Sequence, residues 1–201
     1  MGKGCQNWGA MPLATPQGEA DMRRAWRILL HGPAVRQGPL NVPVVAEIAF
    51  NPDCPFCHAL WVRMQPYRHS PIGIRWLPIS ARRRSTLGKG AAIVMAHDPL
   101  KAQAFNEERF NVARREGGIA PLDHVPPAVR DAIWHDTWCM KRLDGVVPTI
   151  LFRDKQELSA MVGVPARKKL AGIMRFLAWQ ERMELAGTYS RSPVAPSGPP
   201  G

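Results

Sequence analysis

Apolar and polar residues follow two different periods along the chain, which predicts a protein that mixes strands and helices. The run from Val44 to Phe50 is almost continuously apolar and is typical of a buried strand. The segment from Cys54 to about His69 has its apolar residues at helical spacing, and Ile72 to Ile79 then alternates as a second strand. A strand–helix–strand unit implies a parallel pair of strands joined by a right-handed crossover.

The rest of the chain is first helical and then returns to strands. We predict three helices, with a Gly- and Pro-rich loop over Gly117 to Pro127 before the third: Ala91 to His97, Leu100 to Arg114 and Ala128 to Arg142. Gly145 ends the third helix. Val146 to Phe152 is a predicted strand interrupted by Pro148, and Leu158 to Val162 completes a hairpin with it. The last predicted helix covers Ala166 to about Leu185, so the pattern indicates an α/β protein.

The two ends of the chain differ in composition from its middle. Residues 1–42 are rich in Gly and Pro and predict a flexible leader, with a short linker-like helix over Met22 to Leu30. Residues 43–186 predict the folded domain, with a helical insertion at about 86–143. Residues 187–201 are rich in Pro, Ser and Gly and predict a disordered tail.

Charge and hydropathy exclude some classes of function. The chain has 201 residues and a formal net charge of +11, but its basic residues are scattered and the densest cluster is only Arg82 to Arg84. This distribution predicts a solvated basic face rather than a nucleic-acid site. No apolar run approaches the ~18 residues of a membrane span. The first twenty residues hold no convincing secretory segment, so the protein is cytoplasmic or the chain as given lacks its export signal.

The chemistry of the chain centres on Cys54-Pro55-Phe56-Cys57, which directly follows the first strand and opens a helix. A C-x-x-C motif in this position is typical of a thioredoxin-like redox site. Cys54 is expected at the N-cap and Pro55 at the first helical position. The free N–H groups of Phe56 and Cys57, with the positive end of the helix dipole, then favour a Cys54 thiolate. Cys57 is placed to resolve a mixed disulfide formed by Cys54.

Two other interpretations use the same cysteines. Cys54 to His58 also fits C-x-x-C-H, the attachment pattern of c-type haem, with His58 as an iron ligand. We favour the redox pair, because haem attachment needs neither the strand before the motif nor the proline strand after it. A zinc site needs four suitably spaced ligands, and only one cysteine pair is close in sequence. No cofactor or metal is therefore expected.

Four further features have weaker interpretations. Cys139 has apolar helical neighbours and is expected to be an inert core thiol. Cys5 lies in the leader, and a Cys5–Cys139 disulfide or a dimer linked through Cys5 are open alternatives. Glu47 would suit a buried proton acceptor for Cys57, but its position in the strand is one residue off, so the pleat turns it to the opposite face. Gly88-Lys89-Gly90 lacks the spacing of a phosphate loop and is interpreted as the start of a helix.

Four motifs in this order resemble the DsbC/DsbG-type periplasmic thiol:disulfide interchange proteins. They are Asn51 to Cys57, Ala96 to Lys101, Leu143 to Thr149 and Val162 to Pro165. The similarity runs from about Asn41 to Met174. It implies a thioredoxin-like fold, that is, a central mixed sheet flanked by helices, with an inserted all-helical subdomain.

The resemblance also implies a site and an activity. It implies a cis Val147–Pro148 peptide that faces the Cys54 sulfur, with Val147 hydrogen-bonding the backbone of a substrate; we add Pro55 and Phe56 to this substrate-binding set. The expected activity is thiol–disulfide exchange or isomerisation on cysteine-containing proteins in the periplasm, with a redox partner that resets the Cys54–Cys57 pair. A redox-inactive chaperone or binding protein on the same fold is the alternative from a different class.

The chain departs from this family at its N-terminus. Members of the family dimerise through a separate N-terminal domain, and only about forty residues precede the first strand here. Met22 to Leu30 is interpreted as a remnant of the linker helix. This departure argues against the dimer of the family and against efficient isomerase activity, and it leaves the oligomeric state open. A monomer would act as a plain oxidant or reductant.

Overall fold

A computed structural model of the chain describes residues 10–11, 29, 31–80, 85–143, 145–154 and 157–186. Its strands are β1 (Ala10–Met11), β2 (Val35–Gln37), β3 (Val44–Phe50), β4 (Gly73–Pro78), β5 (Thr149–Asp154) and β6 (Glu157–Val162). Its helices are α1 (Pro55–Met64), α2 (Ser85–Val94), α3 (Pro99–Glu108), α4 (Pro127–Leu143) and α5 (Arg167–Leu185), with a 3-10 turn at Gln65–Tyr67. The protein is thus of the α/β class, as predicted.

The strands form one mixed sheet in the order β1-β6-β5-β3-β4-β2. β3 lies inside it, parallel to β4 and antiparallel to β5, with Ile48 opposite both Trp76 and Ile150. The parallel pair predicted around the Cys54 helix is confirmed. Burial on both faces explains why β3 is apolar at every position but Glu47, rather than alternating.

Each face of the sheet carries a core. One core packs alternate residues of β3 against side chains of α1 and α5: Ala46, Ile48, Phe50, Leu60, Met64, Leu170, Met174 and Leu177. The other packs Ala49, Leu77 and Leu151 against Cys139 and Met140 of α4. Because β3 is fixed on both sides, the Cys54 turn at its carboxyl end starts from a rigid strand.

Prolines explain two boundaries that were predicted wrongly. α1 ends at Met64 rather than near His69, because Pro66 has no N–H to continue the α-helical ladder. β5 begins at Thr149 rather than at Val146, because Pro148 cannot donate to the sheet. In contrast, Gly145 ends α4 as predicted: it has a φ of 70° and its N–H donates to the Met140 carbonyl at 2.8 Å.

The helices that follow β4 differ most from the prediction. α2 begins at Ser85, so Gly88-Lys89-Gly90 lies inside the helix instead of at its start. A Cβ on Gly88 would lie 2.7 Å from the Leu122 carbonyl oxygen. The close approach of the Leu122 carbonyl therefore requires glycine at position 88, although glycine normally weakens a helix. α3 ends at Glu108 rather than at Arg114, and residues 109–126 form a connection with one isolated bridge between Asn111 and Glu116.

The predicted leader contains strands. Ala10–Met11 pairs antiparallel with Met161 and Ala160 of β6, and Val35–Gln37 pairs with β4. Segments of two and three residues are too short to give a periodic signal, so both strands were missed. Several predicted features lie outside the described residues: Cys5, the Arg82 to Arg84 cluster and the tail from 187. Of the predicted helix over Met22 to Leu30, only Leu29 is described.

Candidate active site

The redox motif lies at the end of β3, where the chain turns into α1. Asn51 begins the turn, and its carbonyl accepts a hydrogen bond from the Cys54 N–H at 3.0 Å. Cys54 is the N-cap with an extended backbone, and Pro55 occupies the first turn of the helix. The predicted placement of the motif is confirmed. It puts Cys54 where the first N–H groups of α1 have no helical partner.

The Cys54 sulfur is stabilised as a thiolate by its own helix. The Cys57 backbone N–H donates to Cys54 Sγ at 3.4 Å. The pKa of Cys54 is lowered to about 7, chiefly by a hydrogen bond from the Cys57 side chain and further by the backbone N–H groups of Cys57 and Phe56; burial and Glu107 oppose this shift. A substantial fraction of Cys54 is therefore thiolate at neutral pH.

Cys57 has the opposite character. Its side chain is only 1% exposed, and burial raises its pKa well above that of an ordinary thiol. Cys57 Sγ accepts a hydrogen bond from the Asn51 N–H at 3.4 Å. The pair thus combines a partly exposed, acidic thiol with a buried, protonated one. This asymmetry suits an attacking cysteine and a resolving cysteine.

The loop before β5 lies against Cys54. The Val147–Pro148 peptide bond is cis, as the resemblance implies. The Cys54 thiol donates a long hydrogen bond to the Val147 carbonyl, with 3.8 Å between sulfur and oxygen. Pro148 is buried, and its carbonyl accepts from the Gly163 N–H at 2.6 Å. Two apolar side chains belong to the same segments and are exposed, Phe56 at 54% and Val146 at 43%.

A buried ion pair that the sequence did not reveal supports the turn before Cys54. Lys89 Nζ lies 2.7 Å from Asp53 Oδ1, and both side chains are 2% exposed. Asp53 also accepts from the Gly117 N–H at 3.0 Å and from Ser85 Oγ at 3.1 Å. Lys89 donates in addition to the Gly117 carbonyl at 2.8 Å. The residue next to Cys54 is thereby tied to α2 and to the loop after α3.

A second contact joins α3 to α1. Glu107 Oε2 lies 3.1 Å from Nδ1 of His58, the residue after Cys57. The His58 ring also stacks on Phe110, with 4.7 Å between ring centroids and 12° between planes. No sequence signal could have paired residues separated by 49 positions. His58, the iron ligand of the haem interpretation, thus has protein partners at its Nδ1 and on its ring face.

The other cysteine and carboxylate candidates lie away from the pair. Glu47 is 0% exposed and its Oε1 lies 3.1 Å from Arg75 Nη1, on the sheet face that does not carry α1. Burial raises the pKa of Glu47 to about 8, although Arg75 opposes the shift. Cys139 is buried in the core beneath α4, as expected for a structural thiol.

The described residues contain neither a cluster of metal-binding side chains nor a membrane-spanning helix. No three His, Cys, Asp or Glu side chains in this part of the chain lie close enough together to hold a metal ion. Within the same residues, no helix has the length and hydropathy needed to cross a membrane.

Solved structures of other bacterial proteins have a similar fold. The catalytic domain of Proteus mirabilis ScsC matches 80% of this chain and 98% of its own, with a TM-score of 0.59 and 13% identity. The thiol–disulfide exchange protein alpha-DsbA2 of Wolbachia pipientis matches 80% and 96%, with a TM-score of 0.57 and 14% identity. At such low identity these matches establish the fold, which is thioredoxin-like.

Sequence comparison identifies a narrower group. The thiol:disulfide interchange protein DsbG of Pseudomonas aeruginosa is 23% identical over 155 residues, which cover 76% of this chain and 59% of that protein. DsbG of Escherichia coli K12 is 25% identical over 158 residues, which cover 76% and 61%. The chain therefore spans about three fifths of the length of these relatives. No family model matches the sequence.

Fold and sequence agree with each other. The protein is a thioredoxin-like domain with a cysteine pair at a strand–helix junction. Within that class it is similar to the DsbG thiol:disulfide interchange proteins, which confirms the resemblance drawn from its motifs.

Proposed function

We propose that this protein is a thiol–disulfide oxidoreductase that acts on cysteines of other proteins through Cys54 and Cys57. The observation that carries the proposal is the difference between the two thiols. Cys54 is partly exposed with its pKa lowered to about 7, and Cys57 is buried one helical turn away with its pKa raised. A purely structural role for the two cysteines would not require such different pKa values and exposures.

The exchange reaction follows from this difference. In the reducing direction the Cys54 thiolate attacks one sulfur of a substrate disulfide, and the other substrate sulfur leaves as a thiolate. Cys57 then loses its proton and attacks the Cys54 sulfur, which releases the second substrate thiolate and leaves a Cys54–Cys57 disulfide. Two electrons pass to the substrate. In the oxidising direction the same steps run backwards, so a redox partner must reset the pair after each cycle.

The substrate backbone is proposed to dock at the loop before β5. The Val147 carbonyl lies 3.8 Å from Cys54 Sγ, so a substrate strand aligned with this loop would bring its own cysteine next to Cys54. Backbone pairing of this kind gives affinity without demanding one sequence. The partly buried side chain of Pro55 and the exposed side chain of Phe56 would contact residues next to the substrate cysteine.

The compartment is proposed from chemistry and from relatives. Protein disulfides persist in oxidising compartments such as the bacterial periplasm. One similar structure, with a TM-score of 0.52, is a periplasmic thioredoxin-like protein of Salmonella enterica. We therefore propose a periplasmic location, with cysteine-containing proteins and a dedicated redox partner as the binding partners.

The proposal predicts which cysteine is essential. Cys54→Ala removes the attacking sulfur, so we expect reduction of a disulfide substrate such as insulin to fall by at least about 100-fold. Cys57→Ala should instead accumulate a mixed disulfide at Cys54, detectable by mass spectrometry. The matched control is Cys139→Ala, a change at a buried thiol of the other core, which should retain the exchange rate.

Two outcomes would contradict the proposal. Equal activity of the Cys54→Ala variant and the unchanged protein would show that the pair does not carry out the exchange. Client binding that survives replacement of both motif cysteines, with no exchange in the unchanged protein, would instead identify a redox-inactive chaperone.

A further inference from the structure

Helix α3 turns polar residues toward the interior. Gln103, Asn106 and Glu107 are at most 2% exposed, whereas Leu100 and Phe105 are 44% and 40% exposed. This arrangement reverses the usual amphipathic pattern of a helix on a protein surface. Burying polar groups costs free energy unless they are hydrogen-bonded. Asn106 and Glu107 make such bonds, whereas neither side-chain polar atom of Gln103 has a hydrogen-bond partner among the described residues.

Glu107 is the charged residue of this face, and its carboxylate is held at both oxygens. Oε2 lies 3.1 Å from His58 Nδ1, and Oε1 accepts from Asn106 Nδ2 at 3.2 Å. Asn106 is fixed in turn, because its Nδ2 also donates to the Pro52 carbonyl at 3.1 Å and its Oδ1 accepts from the Ile119 N–H at 3.3 Å. The carboxylate position is thus determined by groups on three segments of the chain.

His58 connects this carboxylate to the redox helix. The residue directly follows Cys57, and its backbone N–H donates to the Cys54 carbonyl at 3.0 Å. Its ring is enclosed by α3 and the residues after it through Glu107 and Phe110. The buried carboxylate of β3, Glu47, pairs instead with Arg75 on the other side of the sheet. Of these two carboxylates, it is therefore Glu107 that lies on the side of the sulfurs.

We propose that Glu107 is a positioning residue of the redox pair, which holds His58 against the first turn of α1 and places a negative charge from the inserted helix next to the two sulfurs. This inference rests on the proposed function, since it assigns a residue that tunes the same pair.

The electrostatic consequence has a definite sign. Like charges oppose each other, and Glu107 is among the groups that raise the pKa of both Cys54 and Cys57. The charged or titratable groups around Glu107 are His58, which favours its ionised form, and Asp53, which opposes it. Asp53 is itself paired with Lys89 at 2.7 Å. Glu107 thus disfavours the Cys54 thiolate, and because the thiolate belongs to the reduced form, it favours the disulfide.

The test is a thiolate titration of the reduced protein, followed by ultraviolet absorbance, with Cys54→Ser as the baseline. Glu107→Gln keeps the size and hydrogen-bonding capacity of the side chain but removes its charge. We expect the pKa of Cys54 to fall by about half a unit or more, since a buried like charge is removed. At pH 7 that shift corresponds to about a twofold change in the equilibrium with glutathione, toward the reduced form.

A matched control is available one residue away. Glu108 is exposed on the same helix, so Glu108→Gln makes the same chemical change without a buried contact and should leave the pKa of Cys54 unchanged. Glu107→Asp retains the charge, so the pKa of Cys54 in this variant should stay close to its value in the unchanged protein. A pKa of Cys54 that is the same in Glu107→Gln and in the unchanged protein would overturn the proposal.

A second measurement needs no variant. Coupling between two ionising groups is reciprocal. The carboxyl carbon resonance of Glu107 in the unchanged protein should therefore titrate differently in the two redox states, with an inflection near pH 7 in the reduced protein that is additional to the curve of the disulfide form. Identical titration curves in both states would overturn the proposal. Neither readout requires exchange with a substrate, so a protein that fails the insulin assay can still confirm or overturn the role of Glu107.

Discussion

At the scale of single residues, the site consists of two identical side chains made different by position. Cys54 caps α1 and receives hydrogen bonds, whereas Cys57 lies one turn further and is almost fully buried. The largest contribution that lowers the pKa of Cys54 is the hydrogen bond from the Cys57 side chain, ahead of the backbone N–H groups of Cys57 and Phe56. Each thiol therefore helps to set the pKa of the other.

This dependence predicts a pH profile. In the reduced protein, alkylation of Cys54 by iodoacetamide should rise with pH and reach half its maximum near pH 7, because only the thiolate reacts. Cys57→Ala removes the side-chain hydrogen bond, so its profile should move to higher pH. Peptide mapping by mass spectrometry identifies the modified residue. Cys139→Ala should leave the profile unchanged, and a Cys54 profile centred at about 8.5, the value of a free thiol, would contradict the account.

At the scale of elements, α2 and α3 support the turn that carries Cys54. The Asp53–Lys89 pair reaches this turn from α2, and the Glu107–His58 contact reaches the redox helix from α3. The first contact is buried and the second is partly buried, and both join segments that are distant in sequence. Two of the three helices between β4 and β5, α2 and α3, are thus in direct contact with the segment that carries the cysteine pair.

The ion pair gives a stability prediction at this scale. Lys89→Met removes one partner and leaves the Asp53 carboxylate buried without its cation, which should lower the free energy of unfolding by about 3–5 kcal/mol. Asp53→Asn combined with Lys89→Met should recover part of the loss, since no buried charge is left unpaired. Urea denaturation at neutral pH measures both changes.

Lys101 provides the control for this experiment. It pairs with Asp98 at 3.1 Å but its side chain is 87% exposed, so Lys101→Met should cost no more than about 0.5 kcal/mol. A loss for Lys89→Met as small as that for Lys101→Met would show that the buried pair does not support the turn.

The elements also show what could be predicted from the sequence. The strand into C-P-F-C and the Val147–Pro148 loop were found, because cysteine spacing and proline are local signals that carry a physical meaning. α2 was misplaced, because Gly88 and Gly90 normally weaken a helix and only their contacts with Leu122 and Pro78 show why they are used. Lys89 and Glu107 were missed, because their partners lie 36 and 49 positions away.

At the scale of the whole molecule, the fold brings four separate segments to one end of the sheet. The end of β3 carries the cysteine pair, and the loop before β5 brings the Val147 carbonyl to Cys54. Helix α2 supplies Lys89, the partner of Asp53, and helix α3 supplies Glu107, the partner of His58. The same fold occurs in ScsC and alpha-DsbA2 at 13–14% identity. The fold is therefore kept at low sequence identity.

The most direct test of the redox assignment is to equilibrate the folded protein in glutathione buffers of graded ratio and to map its disulfides by mass spectrometry. We expect one reversible two-electron transition between the dithiol and a Cys54–Cys57 disulfide, at a potential between about −270 mV, the value of thioredoxin, and about −120 mV, the value of DsbA. If the folded protein formed no Cys54–Cys57 disulfide at any glutathione ratio, the assignment of this pair as a redox centre would be wrong.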